Sequence, residues 1–209
     1  MDSLNRAFLK KQQATKILDE LQLVEKWNKV GKCHLVGATA YDLIVTPDID
    51  LETFCDEINP QEIMKELGIL VMNPNVIELK YRDYSKTTFQ GHYFKLLYRV
   101  EDTVWTIDMW LFSNTREGAL SRDLVPFMRK YLTNETRKII LDIKEGLIEQ
   151  NQDFSSIFIY QAVLEYGVQN VEEFLIWTTT HSTKVPYHWQ PKLSTTFKCS
   201  FDVKQAKTI

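Results

Sequence analysis

Glycine and proline are scarce, at 7 and 6 of 209 residues. A collagen-like or low-complexity chain needs far more of both, so those classes are excluded. No apolar run approaches the ~20 residues of a membrane-spanning helix. The opening Met1-Asp2-Ser3-Leu4-Asn5-Arg6 lacks the apolar stretch of a secretory leader. The chain therefore reads as soluble and cytoplasmic, with no membrane partner. Cysteine is limited to Cys33, Cys55 and Cys199, far apart and without a CxxC pair, which fits neither a disulfide framework nor a zinc site. His34, His92, His181 and His188 also lack metal-ligand spacing. There is no basic excess either: net charge is -3 and the sequence pI about 5.9. Proteins that coat nucleic acid draw most of their affinity from phosphate neutralisation, so bulk nucleic acid is not an expected partner. A local basic patch remains compatible with that total.

What is present is a chain 44% hydrophobic and 12% aromatic, long enough to bury a core. Ala14, Ile17, Leu18, Leu21 and Val24 recur at helical spacing, with Gly31 as the expected C-cap. Cys33 to Val36 predicts a strand ending in a small-residue turn, Gly37-Ala38-Thr39-Ala40. Asp48 to Phe54 is extended, and Asn59-Pro60 opens a helix carrying Ile63, Met64 and Leu67. Strands follow at Val76 to Tyr81, His92 to Val100 and Val104 to Phe112, the last two as an antiparallel hairpin. Beyond Gly118 the period is helical, with caps at Thr133 or Asn134, Ser155 or Ser156, and Asn170. The expected fold class is α+β: a mixed sheet with flanking helices over residues 1–113, a helical lobe over 114–180, and a tail over 181–209 packed on the body.

The chemistry lies in the carboxylates. Asp48 and Asp50 alternate with Ile49 and Leu51, so on a strand both carboxylates share one face while the apolar pair faces inward. Composition alone predicts about four acidic pairs at this spacing, so context must carry the argument. That context is Gly37, eleven positions upstream of Asp48, and Asp108, the only charge between Val104 and Phe112. A lone carboxylate in an apolar strand is costly unless paired or metal-bound. Like charges on one face repel, and a cation such as Mg²⁺ reverses that penalty.

Gly37-Ala38, then Asp48-Ile49-Asp50, then Asp108 on a later strand together resemble the nucleotidyltransferase superfamily of polymerase-β-like fold, closest in look to its small antibiotic-modifying members. The resemblance covers roughly residues 15 to 112. It implies in-line attack of an acceptor hydroxyl on the α-phosphorus of a nucleoside triphosphate, with two Mg²⁺ ions clamping the attacking and leaving oxygens. Asp48 and Asp50 would bridge both ions. Asp108 would hold the ion nearer the acceptor and accept its proton. Gly37, Ala38, Thr39 and Lys80 are the candidates to contact the nucleotide. The family usually has Ser or Gly where this chain has Ala38, and Thr39 is the nearest substitute hydroxyl. A hydroxyl-bearing small molecule ranks first as acceptor, then a protein. Glu145 and Glu165 are further candidates for a general base. Two alternatives stay open: a catalytically silent protein of the same fold acting as a nucleotide-binding or interaction module, and a metal-dependent nuclease using the same carboxylates.

Overall fold

The computed structural model describes residues 1–118, 120–183 and 189. Most of the 181–209 tail, and with it the expectation that this tail packs on the body, lies outside the described residues. Trp189 is described: it is buried and donates its indole N–H to Glu165 at 2.8 Å.

Period-two alternation builds the sheet. Strands β1 (Lys32–Val36), β2 (Asp48–Cys55), β3 (Val76–Asp83), β4 (Gly91–Val100) and β5 (Thr103–Ser113) lie in the order β1-β2-β5-β4-β3. The β2–β5 pair is parallel and every other pair antiparallel, so the sheet is mixed. Ile49, Leu51, Phe94, Leu96, Ile107, Met109 and Leu111 are buried, at alternating positions along β2, β4 and β5. Asp48, Asp50, Tyr93, Lys95, Asp108 and Trp110 occupy the opposite, less covered face. The β4–β5 hairpin turns through Glu101, whose backbone φ is +53.

The amino-terminal segment departs from expectation. It forms two helices, α1 (Ser3–Glu20) and α2 (Leu23–Asn28), broken at Gln22 in the left-handed region. Gly31 is not the helix cap. A Cβ there would lie 2.4 Å from the Phe54 carbonyl oxygen, so glycine is required by the close approach of β2. The small-residue segment after β1 is also not a turn. Gly37–Tyr41 forms one short helix, α3, because Ala38, Thr39 and Ala40 are compact enough to be buried beside β1 and β2.

Helix α4 (Pro60–Gly68) starts as expected, with the Asn59 side chain accepting from the Gln61 N–H, and a short 3-10 turn, Ile69–Met72, leads into β3. The carboxy-terminal helices are α5 (Ser121–Tyr131), α6 (Asn134–Glu149), α7 (Ser156–Tyr166) and α8 (Val171–Thr180). Thr133 and Thr136 form a reciprocal cap for α6, Gly167 at φ +70 ends α7, and Asn170 caps α8. Helix α1 is tied to α6. Ser3 donates to Asp142 at 2.5 Å, and Arg6 pairs with Glu145. No described helix is long and apolar enough to cross a membrane.

Candidate active site

Strand register brings the predicted carboxylates together. Asp50 and Asp108 are direct partners across the parallel β2–β5 pair, and Asp48 stands opposite Thr106 in the same ladder. Adjacent strands lie ~4.8 Å apart, which places two carboxylates side by side on the exposed face. Burial, reinforced by the charges of Asp48 and Asp108, pushes the Asp50 carboxyl up to about 7. The Asp48 carboxylate accepts a hydrogen bond from Thr46 at 2.7 Å. Asp108 accepts one from the Tyr93 hydroxyl at 2.5 Å.

Gly37 closes this cluster from above. Its φ is +64, and a Cβ would stand 2.1 Å from Asp50 Oδ2, so the backbone touches the carboxylate where no side chain fits. The start of α3 thereby forms one wall of a cavity of about 440 Å³. Gly37, Ala38, Asp48 and Asp50 line one side, and Lys144, Ser155, Ser156 and Tyr160 line the other. Thr39 is absent from the lining: it is buried and donates its hydroxyl to the Asp48 carbonyl at 2.9 Å, which fixes the start of β2.

The far wall was not legible in the sequence. Lys144 is 7% exposed and donates to the Leu43 carbonyl at 2.8 Å. Burial pulls its ammonium down to about 8, against the raising influence of Asp48 and Asp50. The buried Tyr160 hydroxyl makes no hydrogen bond to described residues, although the Ser156 side chain bears on its ionisation without reaching hydrogen-bond geometry. A buried cation and an orphaned hydroxyl facing one polar-floored cavity are costly in an empty protein and useful toward an anionic ligand.

Glu52 performs a different task on the same strand. It is buried, and its two carboxylate oxygens accept the Ser121 and Arg122 backbone N–H groups at 3.1 and 3.0 Å. This fastens the start of α5 to β2, and the Arg122 guanidinium covers the Phe54 ring at 3.4 Å from its centroid. Lys80 lies apart from the cavity. It sits on the edge strand β3, in the cross-sheet row Asp50, Asp108, Lys95, Lys80. Glu145 is held by Arg6, and Glu165 accepts from Gln161 and Trp189, so neither faces the carboxylate cluster as a free base.

Three carboxylates supply the hard oxygen donors that a divalent cation such as Mg²⁺ prefers. The cradle at Gly37 keeps Asp50 Oδ2 accessible, so the residues fit such an ion. Among the described residues, no three acidic, histidine or cysteine side chains already stand in a metal-holding arrangement.

A mixed sheet carrying paired carboxylates on β2, a third on parallel-paired β5 and a glycine-led helix after β1 is the polymerase-β-like nucleotidyltransferase fold. No family model matches the sequence, and no curated protein sequence does. Among solved structures, the fold is shared with a cytoplasmic RNA terminal U-transferase at a TM-score of 0.53 and 16% identity, over 75% of this chain and 46% of that one. It is also shared with a non-canonical poly(A) polymerase complex, GLD-2–GLD-3, at a TM-score of 0.50 and 12% identity, over 82% of this chain and 61% of that one. The chain thus spans about half the length of the proteins it resembles. Both names denote work on RNA by those proteins, so the fold lends no support to excluding nucleic acid as a partner.

Proposed function

We propose that this protein transfers a nucleoside monophosphate from a nucleoside triphosphate to an acceptor hydroxyl, on a small molecule or a protein, with Mg²⁺. The observation that carries this reading is a cavity lined by Asp48 and Asp50 on one side and a buried lysine on the other, with Asp108 the strand partner of Asp50. Asp48, Asp50 and Asp108 would hold the metal, which when bound neutralises triphosphate charge and acidifies the acceptor hydroxyl. Lys144 is suited to the β- and γ-phosphates, because an anion there restores full protonation to its lowered ammonium. The Ser155, Ser156 and Tyr160 side chains line the cavity and offer hydroxyl donors to phosphate or ribose oxygens. Gly37 lets the backbone approach closely.

Tyr93 occupies one oxygen of Asp108, Oδ1, and so orients the other toward the acceptor. The acceptor oxygen bonds to the α-phosphorus as the bond from that phosphorus to the α,β-bridging oxygen breaks. Pyrophosphate leaves with that electron pair, and the hydroxyl proton passes to Asp108 Oδ2. The test is pyrophosphate release from each of the four common nucleoside triphosphates with Mg²⁺. Asp48→Asn and Asp108→Asn should each lose at least a hundredfold, and variants as active as the wild type would sink the assignment.

Two observations favour a second reading, a silent protein that binds nucleotide without turnover. Ala38 gives no hydroxyl beside Gly37, and the Asp48 carboxylate is engaged by Thr46. Calorimetric titration with ATP separates the two: binding indifferent to Mg²⁺, with no pyrophosphate released, selects the silent protein.

A further inference from the structure

Helix α6 carries one wall of the cavity from end to end. Lys144 stands on it opposite Asp48 and Asp50, and Leu147 and Ile148 line the same cavity one turn further along. Ile148 is apolar and yet 50% exposed. The helix then stops. Asn151 takes a left-handed φ of +53, and the Gln152 N–H turns back to the Leu147 carbonyl at 2.8 Å. Gln152 and Asp153, just past that reversal, also line the cavity. At a rise of ~1.5 Å per residue, the end of α6 lies roughly 8 Å beyond Lys144 along the axis. That leaves room for a ribose between a phosphate at Lys144 and a base at the helix end.

The polar groups at that end have their own chemistry. The Asp153 carboxylate forms no ion pair among the described residues. It repels phosphate and only accepts hydrogen bonds, so it suits a neutral part of a ligand that donates them. Gln152 adds a carboxamide that can donate beside it. One donor and two acceptor oxygens match the pairing edge of guanine, which presents the O6 acceptor, then the N1–H and N2 amino donors. Adenine and cytosine each set a ring-nitrogen lone pair against the carboxylate. Uracil flanks its single ring N–H with two carbonyl oxygens.

We infer that Asp153, together with Gln152, selects guanine, so that the nucleotide this protein takes is GTP. This inference rests on the transferase reading above and names its nucleotide. The triphosphate lies between the metal-holding carboxylates and Lys144, and the base lies at the end of α6 against Ile148 and Ile157. Asp153 accepts from N1–H with one oxygen and from the N2 amino group with the other, and Gln152 donates to O6. Covering Ile148 removes apolar surface from water. A base that lacks either donor leaves a carboxylate oxygen without its partner, which is the strongest form of hydrogen-bond discrimination. Asp153 binds the base and moves no proton.

The test is calorimetric titration of the full chain, with Mg²⁺, against GTP, ITP, ATP and UTP. ITP differs from GTP only in lacking the N2 amino group. GTP should bind about tenfold or more tighter than ITP, the worth of one hydrogen bond to a charged group, and about tenfold or more tighter than ATP and UTP. Asp153→Asn should bring GTP and ITP within about threefold of each other. Gln152→Leu should weaken both by about threefold or more and leave their ratio as it was. Both positions are exposed, so melts without nucleotide should match wild type. ATP or UTP binding as tightly as GTP overturns the inference, as does an unchanged GTP-to-ITP ratio in Asp153→Asn. So does a loss in that variant equal for all four nucleotides, which would put the carboxylate on the ribose. In each of these cases pyrophosphate release still upholds the transferase reading. Selection of GTP that depends on Asp153, with no pyrophosphate released, keeps the guanine site and removes the transferase reading instead. Failure of all four to bind removes both.

Discussion

Gly37 and Asp50 touch across the β1–β2 pair: the position a Cβ would take at Gly37 lies 2.1 Å from Asp50 Oδ2. The glycine of the motif thus protects the space around the carboxylate as well as allowing the left-handed φ of +64. Gly37→Ala must strain the backbone and push Asp50 from its place. We expect a loss of ~1–3 kcal/mol in urea unfolding and at least a hundredfold loss of pyrophosphate release. A variant with normal activity would mean that Asp50 does not act from the position seen here.

Asp50 also predicts a pH dependence. Burial and the neighbouring carboxylates raise its pKa from 3.8 to about 7. Between those values the native state keeps a proton that the unfolded chain has released. The contribution of Asp50 is therefore most favourable below about pH 4 and is lost as pH rises through about 7. In metal-free protein the wild type should lose on the order of 2–4 kcal/mol relative to Asp50→Asn across that window. Urea unfolding of both proteins at pH 4.5, 6 and 7.5 measures the difference. A flat difference curve would show that the carboxyl titrates normally.

Asp108→Asn separates metal binding from architecture. An asparagine carbonyl can still accept from the Tyr93 hydroxyl, so the local hydrogen bond survives while one of three clustered charges disappears. The variant should melt at or above wild type without Mg²⁺ and gain nothing from Mg²⁺ with nucleotide. Wild type at a hundredfold excess over Kd should gain about 2.7 kcal/mol, a shift of roughly 5–10 °C. If Asp108→Asn melts several degrees lower without metal, Asp108 is a structural partner of its neighbours.

The near wall of the site was legible in the sequence, and the far wall was not. Asp48 and Asp50 announce their strand by alternating with apolar residues, and Asp108 stands out as the only charge between Val104 and Phe112. Their assembly still depended on β2 and β5 pairing in parallel, a non-local fact no period encodes. Lys80 looked close to the site because strands 3 and 4 adjoin it in sequence, yet strand order puts it two strands beyond Asp108. Lys144 is one of 25 Lys and Arg residues, on a helix of ordinary amphipathic pattern. Only its burial, against the Leu43 carbonyl, distinguishes it. The break between α1 and α2 had no local marker, because Gln22 is an unusual residue for the left-handed conformation it adopts.

Glu52 offers a test of how the helical segment is fastened. Its carboxylate receives two backbone N–H groups at the start of α5, a position where negative charge is favourable. Glu52→Ala strands those donors in a buried setting and should destabilise by ~2–4 kcal/mol. Glu52→Gln keeps one acceptor oxygen and should lose about half as much. Equal losses in the two variants would show that packing, not hydrogen bonding, is at stake.

Lys144 sets stability against ligand binding in a single side chain. Burial lowers its pKa from 10.5 to about 8. Between those values the unfolded chain binds a proton that the native state does not, so the Lys144 contribution grows more favourable as pH rises from 8 to 10.5. At pH 7 the buried charge is a standing cost, offset in part by its bond to the Leu43 carbonyl. Lys144→Met removes the charge, fills a similar volume and leaves one carbonyl unpaired. At pH 7 we expect stability unchanged or raised by up to about 2 kcal/mol, and the rise between pH 8 and 10.5 abolished. The stabilisation given by Mg²⁺ with nucleotide should fall at the same time by at least half, because the triphosphate loses its buried counter-charge. Thermal melts at pH 7 and 9.5, with and without ligand, read all three effects. A variant that is destabilised at pH 7 yet keeps its full ligand-induced shift would assign Lys144 to the core and remove it from the nucleotide site.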